Sequence, residues 1–368
     1  MLFNKIPFVD LKSQYNAIKS EVNNKIAEVL DSRAFIQGRF VEEFEVAFAK
    51  MHNVKYAIGC SNGTSALTLA LRTLGVSQGD EVITVAHTFI ATGEAIRHVG
   101  AEPVFIDIDS ETYTMDANLI EDAITPNTKA IIPVHIYGNP CKMDDIMKIA
   151  EKYGLFVVED CAQAHLSKYK DRCVGTFGDM GTFSFYPGKN LGAYGDAGCV
   201  ITHDEKYAIQ LRKLRDHGRL NKYEHDIIGY NCRMDGIQAG ILQVKLKYIE
   251  KWTKERQRNA LQYDSIFLNL NIKIISSYEH SEPVYHLYVI QVKKRDDLME
   301  HLKNKLISCG IHYPFPLHLQ PAFKYLNYSK GSLPNTEYAA KMILSIPMYP
   351  ELTQEHINYI CNEVRNVI

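Results

Sequence analysis

Three stretches of this sequence place reactive side chains directly after apolar, β-rich runs. In Gly59-Cys60-Ser61-Asn62-Gly63-Thr64-Ser65-Ala66-Leu67, small residues break a strand pattern into a helical one. Gly63 permits close backbone approach, and Thr64 and Ser65 put hydroxyls beside the unpaired amides of a helix N-terminus, which is phosphate-binding chemistry. A plain Ser/Thr cap for the helix is the competing use. In Val157-Val158-Glu159-Asp160-Cys161-Ala162-Gln163-Ala164-His165 a buried strand pattern ends in two carboxylates. Such a pair is costly unless donors or cations meet it. Asp160 suits a protonated pyridine nitrogen, as needed when a pyridoxal ring serves as electron sink, though a turn or cap role fits the same residue. His165 reads equally as a local hydrogen-bonding residue. In Thr182-Phe183-Ser184-Phe185-Tyr186-Pro187-Gly188-Lys189-Asn190-Leu191-Gly192 a lysine sits in a Gly-rich loop after a strand. Partial desolvation there would lower its pKa and free the amine as a nucleophile toward carbonyls. The loop is not a Walker A motif: Phe183 stands five residues before Gly188, and Asn190 follows the lysine. Glycines 192, 195 and 198 are also spaced wrongly for a dinucleotide fingerprint.

These residues need a scaffold that gathers strand ends. Candidate strands at 55–59, 81–85, 102–106, 129–135, 155–159, 181–185 and 199–202 alternate with helical patterns at 65–74, 90–99, 116–124 and 142–153. That alternation signals βαβ units and a mainly parallel sheet, whose ligands bind beyond the carboxyl ends of the strands. A long helical stretch from Gly236 to about Leu268 leads out of this region. A strand at 285–292, a helix at 296–308, a Pro-rich loop at 313–321 and a last helix at 353–367 suggest a smaller α+β unit. The expected division is a large domain with an N-terminal arm, residues 1–247, and a small C-terminal domain, 248–368.

With 41 Lys+Arg against 43 Asp+Glu in 368 residues, a basic nucleic-acid-binding surface is not expected. Eight scattered cysteines form no Cys-x-x-Cys pair, so no structural metal is expected. No apolar run approaches a membrane span, and the start, Met1 to Pro7, does not read as a signal peptide. A cytoplasmic chain with reduced thiols is expected.

Taken together and in order, the three motifs resemble the fold-type I pyridoxal-phosphate enzymes, and more narrowly the DegT/DnrJ/EryC1/StrS family of nucleotide-sugar aminotransferases. The resemblance runs from Ile6-Pro7-Phe8-Val9-Asp10-Leu11 through Gly229-Tyr230-Asn231-Cys232-Arg233-Met234-Asp235 to Pro347-Met348-Tyr349-Pro350. It implies an α/β large domain with a mainly parallel seven-stranded sheet flanked by helices, plus a smaller α+β domain. It implies pyridoxal 5'-phosphate as cofactor, cycling with pyridoxamine 5'-phosphate. Carried over residue by residue, Lys189 is the lysine that bears the cofactor, Asp160 the partner of the ring nitrogen, and Gln163 the neighbour of the ring hydroxyl. Phe89 is the stacking aromatic, and Thr64, Ser65 and Ser184 contact the phosphate beside Gly63. Asn231 matches an asparagine that reaches the phosphate of a neighbouring subunit, which implies a homodimer with a shared active site. The sequence Gly195-Asp196-Ala197-Gly198 departs from the Gly-Glu-Gly-Gly of many members.

The activity implied is transfer of an amino group from L-glutamate to a nucleotide-linked keto sugar, in two half-reactions. The loops 185–192 and 312–320 look most like members acting at C3 of dTDP-3-keto-6-deoxyhexoses. Tyr186, His312, Tyr313 and His318 are candidate sugar contacts, although Pro-flanked aromatics often only order a loop. Arg219, Lys222 and Arg233 could meet the diphosphate. The rivals are a C4 aminotransferase on a UDP-, GDP- or dTDP-4-keto sugar and a non-catalytic cofactor-binding sensor. Related sugar 3-dehydratases carry histidine where Lys189 stands.

Overall fold

A computed structural model describes residues 5–270 and 272–368, so the first four residues of the expected N-terminal arm lie outside the described ones. In chain order it holds α1 (Leu11–Ser32), α2 (Arg39–Met51), β1 (Tyr56–Cys60), α3 (Gly63–Thr73), β2 (Glu81–Val85), α4 (Ile90–His98), β3 (Glu102–Ile106) and β4 (Thr128–Ile132). There follow α5 (Met143–Tyr153), β5 (Phe156–Asp160), β6 (Lys168–Tyr169), β7 (Arg172–Cys173), β8 (Met180–Ser184), β9 (Gly198–Thr202), α6 (Glu205–Arg215) and α7 (Gly236–Leu246). The chain ends with α8 (Ile249–Phe267), β10 (Lys273–Ile274), β11 (Ser281–Glu282), β12 (Tyr288–Gln291), α9 (Arg295–Asn304), α10 (Pro334–Met342), β13 (Ile343–Ile346) and α11 (Gln354–Arg365).

The large sheet has seven strands in the order β1-β9-β8-β5-β4-β2-β3, and only β9 runs against its neighbours. All seven expected strands are present within a few residues of their expected bounds. Their near-continuous apolar composition follows from burial on both faces, as Ile58, Ile83, Ile131 and Val158 are completely covered. On one side α1, α2 and α7 share a core in which Phe44 and Phe48 of α2 meet Phe183 and Phe185 of the β8 region edge to face, with Phe40 buried in the same cluster. Each of these rings contributes roughly 2–3 kcal/mol of burial. A second sheet, β10-β12-β13, carries α8, α9 and α11 around a separate core of Tyr263, Phe267, Ile290 and Ile346.

Two expected helices form differently. Residues 116–124 make two 3₁₀ turns, Ala117–Leu119 and Glu121–Ala123, because Pro126 bars Thr125 from helical geometry and leaves no room for a full helix. The stretch after Gly236 is two helices. At Lys247 and Tyr248 the backbone amides reach back three residues to Val244 and Lys245, and Tyr248, at φ −110°, turns the axis before α8. The chain start returns to the small unit, where Ile6 pairs with Ile307 in a parallel bridge. Conversely, β11 pairs with β6, and Leu317, Phe323 and Leu333 pack on Ala86 and Phe105 of the large sheet.

Candidate active site

The carboxyl ends of β1, β2, β5 and β8 open on a cavity of about 920 Å³, closed from the other side by residues of the C-terminal part. Gly63, Thr64, Ser65, Phe89, Asp160, Gln163, Ser184, Tyr186, Lys189, His312 and Tyr313 all line it. Thus the sheet brings together side chains spread over 251 positions of the chain.

At the start of α3 the cap is Asn62, whose Oδ1 accepts from the Ser65 amide at 2.8 Å. The expectation of a Ser/Thr cap is therefore corrected; the Thr64 hydroxyl is left for the cavity, and Ser65 Oγ, which accepts from Ser61 Oγ at 2.9 Å, keeps its own proton to donate. A Cβ at Gly63 would lie 2.7 Å from the Ser184 Cβ, so only glycine lets β8 and the α3 amides close on one small pocket.

Of the two carboxylates ending β5, Glu159 is structural. It is fully buried and accepts from the amides of Gly175, Phe177 and Gly178 at 2.7–2.8 Å, with His135 Nε2 at 3.1 Å. Asp160 faces the cavity. Its Oδ1 accepts from the Ala162 amide at 3.1 Å and its Oδ2 from Thr92 Oγ1 at 2.9 Å, with Thr88 Oγ1 a further 3.0 Å behind. Burial pushes this carboxyl above the ordinary range, while Ala162, Thr92 and Lys189 oppose the rise.

Lys189 sits in the loop after β8, and its amine has no partner among the described residues. Desolvation lowers its pKa to about 8, against the pull of Asp160. The loop is held from behind by α7: Lys245 Nζ donates to the Gly192 carbonyl at 2.6 Å, and Gln238 Oε1 accepts from the Tyr194 amide at 2.9 Å. In cofactor-free protein, capture of a simple aldehyde at Lys189 is expected to rise with pH through about 8 and then level off. Below that pH the amine is protonated and cannot attack; an ordinary lysine would level only above about 10.4. Mass-spectrometric mapping of borohydride-reduced adducts across pH measures the midpoint, and one near 10 would refute the desolvated environment.

Gln163 Oε1 accepts from the Tyr137 amide at 2.6 Å and its Nε2 donates to the Tyr313 hydroxyl at 3.1 Å. The rings of Tyr313 and Phe89 lie 5.6 Å apart across the opening, and Phe89 is half exposed. His312 stacks on Phe8 at 5.4 Å, with Nδ1 2.9 Å from Ser345 Oγ. His165 is buried against Phe183 and Phe185, which holds its ring neutral with the pKa lowered to about 3. Tyr230 and Cys232 reach the cavity, while Asn231 between them is exposed and does not line it.

His318 is a correction. It is buried outside the cavity, in the 3₁₀ turn Leu317–Leu319, where Nε2 lies 3.2 Å from Glu337 Oε1 and the ring meets Tyr328. The Pro-rich loop that carries it turns inward at 312–313 and then leaves for the face of β3. Sequence reasoning missed Phe8, Thr88, Thr92 and His286, all of which line the cavity. Thr88 and Thr92 carried a readable signal, being hydroxyls just after a strand, whereas nothing local marks Phe8 or His286.

Residues 16–365 match the DegT/DnrJ/EryC1/StrS aminotransferase family. Over 98% of its length the chain is 44% identical to a pleiotropic regulatory protein of Geobacillus stearothermophilus, of which it spans 97%. It is 42% identical to the UDP-N-acetyl-3-dehydro-α-D-glucosamine 3-aminotransferase of Acidithiobacillus ferrooxidans, over 99% of this chain and 98% of that one. With the dTDP-3-amino-3,4,6-trideoxy-α-D-glucose transaminase of Streptomyces venezuelae the identity is 40%, over 98% and 96%. Among solved structures, S. venezuelae DesV in complex with a ketimine intermediate superposes with a TM-score of 0.97 at 40% identity, covering 99% of this chain and 98% of that one. NtdA from Bacillus subtilis, with bound pyridoxamine phosphate, gives 0.93 at 32% identity, over 99% and 85%.

Proposed function

Because this chain belongs to the DegT/DnrJ/EryC1/StrS aminotransferase family and is a pyridoxal-phosphate-dependent sugar-nucleotide aminotransferase, we propose that it moves the amino group of L-glutamate to C3 of a dTDP-3-keto-6-deoxyhexose. The observation that carries the proposal is the open, desolvated Lys189 amine in one cavity with the buried Asp160 carboxylate. Relatives named for 3-amino sugars, spanning nearly the whole chain, favour C3 over C4.

The residues present fit the cofactor. The α3 N-terminus with Thr64, Ser65 and Ser184 would hold its phosphate, Asp160 its ring nitrogen, Gln163 its hydroxyl and Phe89 its face. When bound, the cofactor supplies an aldehyde that condenses with amines and a ring that takes up the electron pair left by a departing proton. Lys189 bears it at rest. In the glutamate half-reaction the Lys189 amine removes the proton from the α-carbon, and in the sugar half it delivers a proton to C3. Asp160, held by Thr92 and Ala162, stays aimed at one point of the cavity and remains anionic when a cation faces it. Tyr186, His312 and Tyr313 would surround the sugar; Arg219 and Arg233, paired with Asp216 at 3.5 and 3.2 Å, and Lys222 are not on the cavity wall and would meet the diphosphate only outside it.

A homodimer is part of this reading, with Asn231 of one copy completing the phosphate site of the other; its exposure here leaves it free to do so. So are a boundary between the domains at 247/248, in the turn separating α7 from α8, and a cytoplasmic setting; no described helix is long and apolar enough to cross a membrane. The name of the Geobacillus relative favours a regulatory reading. Conversion of the visible absorbance to the pyridoxamine form by glutamate separates an enzyme from a passive sensor. Product NMR after reaction of dTDP-3-keto and dTDP-4-keto sugars with glutamate is expected to show amination at C3. Amination at C4 alone rejects the substrate proposed.

A further inference from the structure

His286 is a titratable side chain of the cavity wall with no part in the chemistry described so far. His286 precedes β12, lines the cavity and is 9% exposed. Its Nδ1 lies 3.2 Å from Asn190 Oδ1, and Asn190 Nδ2 donates to the Val284 carbonyl at 3.0 Å. A carbonyl can only accept, so the Asn190 amide must turn its NH₂ to Val284 and its oxygen to the imidazole. An acceptor at that place requires the proton on Nδ1, and Nε2 of the neutral ring then carries a lone pair.

Nε2 has no partner among the described residues, yet it is not one of the atoms sealed in the interior, so it opens on the cavity. Burial keeps the ring neutral, and the surrounding cations and imidazoles, Lys189 first and then Arg256, His312 and His165, act in the same direction. The backbone on either side is fixed. Arg256 Nη1 donates to the carbonyls of Tyr285, His286 and Met348 at 3.1, 3.4 and 2.8 Å, and the Val284 amide donates to the Gly138 carbonyl at 3.1 Å. Tyr285 is held at φ +46°, a left-handed conformation that an aromatic residue keeps only where its surroundings impose it. Position, tautomer and backbone are thus all specified for a residue whose outward atom pairs with nothing in the protein.

We propose that His286 contacts the substrate, its unprotonated Nε2 accepting a hydrogen bond from a sugar hydroxyl that flanks the carbon reacting beside Lys189. The inference rests on the sugar-nucleotide reading given above. A lone pair attracts a hydroxyl and offers nothing to a carboxylate, so this contact serves the sugar and not glutamate.

Selective ¹⁵N labelling of histidine in the purified holoenzyme, with His286→Phe to assign the signals, reads the tautomer directly. An unprotonated Nε2 is expected, and a proton on Nε2 overturns the proposal. Single-turnover absorbance then separates the two half-reactions. In His286→Phe the glutamate half should stay within about twofold of the parent enzyme, while the half run backwards from a dTDP-linked 3-amino sugar should lose about tenfold, mainly as weaker sugar binding. His286→Gln, which retains an acceptor, should recover part of that loss. Equal losses in both halves, or none in either, overturn the proposal. Should the parent enzyme convert glutamate but neither dTDP- nor UDP-linked 3-amino sugars, the substrate reading fails by itself, and the tautomer signal still decides whether His286 offers an open acceptor.

Discussion

Lys189→Ala is expected to abolish the borohydride-fixable cofactor adduct and to lower turnover by about 10⁴-fold, the scale of losing a placed general base and nucleophile together. Three properties converge on this side chain: it follows the strand whose end faces the cavity, its amine is unpartnered, and desolvation holds its pKa at about 8. The other buried lysine with a strongly lowered pKa, Lys245, does not replace it. Its amine is bound to the Gly192 carbonyl at 2.6 Å, lies 4.2 Å over the Tyr194 ring and is absent from the cavity wall. Folding should survive the change, because the loop is anchored by backbone bonds from Ala193 to Phe185 and by α7 rather than by the Lys189 side chain. Peptide mapping after borohydride reduction and an assay with glutamate check both halves of the expectation. Full retention of the adduct in the alanine variant would end the assignment of Lys189.

Asp160→Asn should leave the cofactor attached through Lys189 while kcat falls by roughly 10²–10³-fold with KM changed only a few-fold. An amide has the shape of the carboxylate, but it carries no charge and presents an NH₂ where one of the donors from Thr92 or Ala162 must be met. The protonated ring nitrogen would lose its counter-charge when electron density arrives, which is a cost in the transition state more than in binding. A second readout separates this from simple misfolding. Asp160 favours the ammonium form of Lys189, so its neutralisation should move the Lys189 midpoint below about 8 in cofactor-free protein. A variant with unchanged kcat, or with a midpoint that rises, contradicts the role given to Asp160.

The sheet was legible from the chain because βαβ units are local. A strand buried on both faces needs an unbroken apolar run, and the short turns between units leave recognisable Gly, Asp and Pro residues. The helices α1, α2, α6 and α10 escaped that reading, since none lies between two of the expected parallel strands, and α1 buries only four positions along its 22 residues, one of them Gln14. The segment after Gly236 reads as one helix because two helices separated only by Lys247 and Tyr248 share one periodic pattern. The 116–124 stretch has helical composition, yet the backbone restriction ahead of Pro126 outweighs it.

For the site, the amino-acid sequence alone determined the residue types that follow the strand ends: Thr64 and Ser65, Asp160, Ser184 and Lys189. It could do so because in an open parallel sheet the carboxyl ends share one side, so position along a strand already implies position in space. Only the tertiary structure decided what those residues face. It separated Glu159 from Asp160, giving one to three backbone amides and the other to the cavity, although they are neighbours in one strand. It took His318 away to Glu337 while leaving His312 and Tyr313, a few residues earlier, on the cavity wall. And it delivered His286 through its pair with Asn190, and Phe8 through the bridge between Ile6 and Ile307. The last two placements depend on contacts between residues nearly a hundred or more positions apart, and no local periodicity encodes them; they exist only once the second core has docked against the sheet.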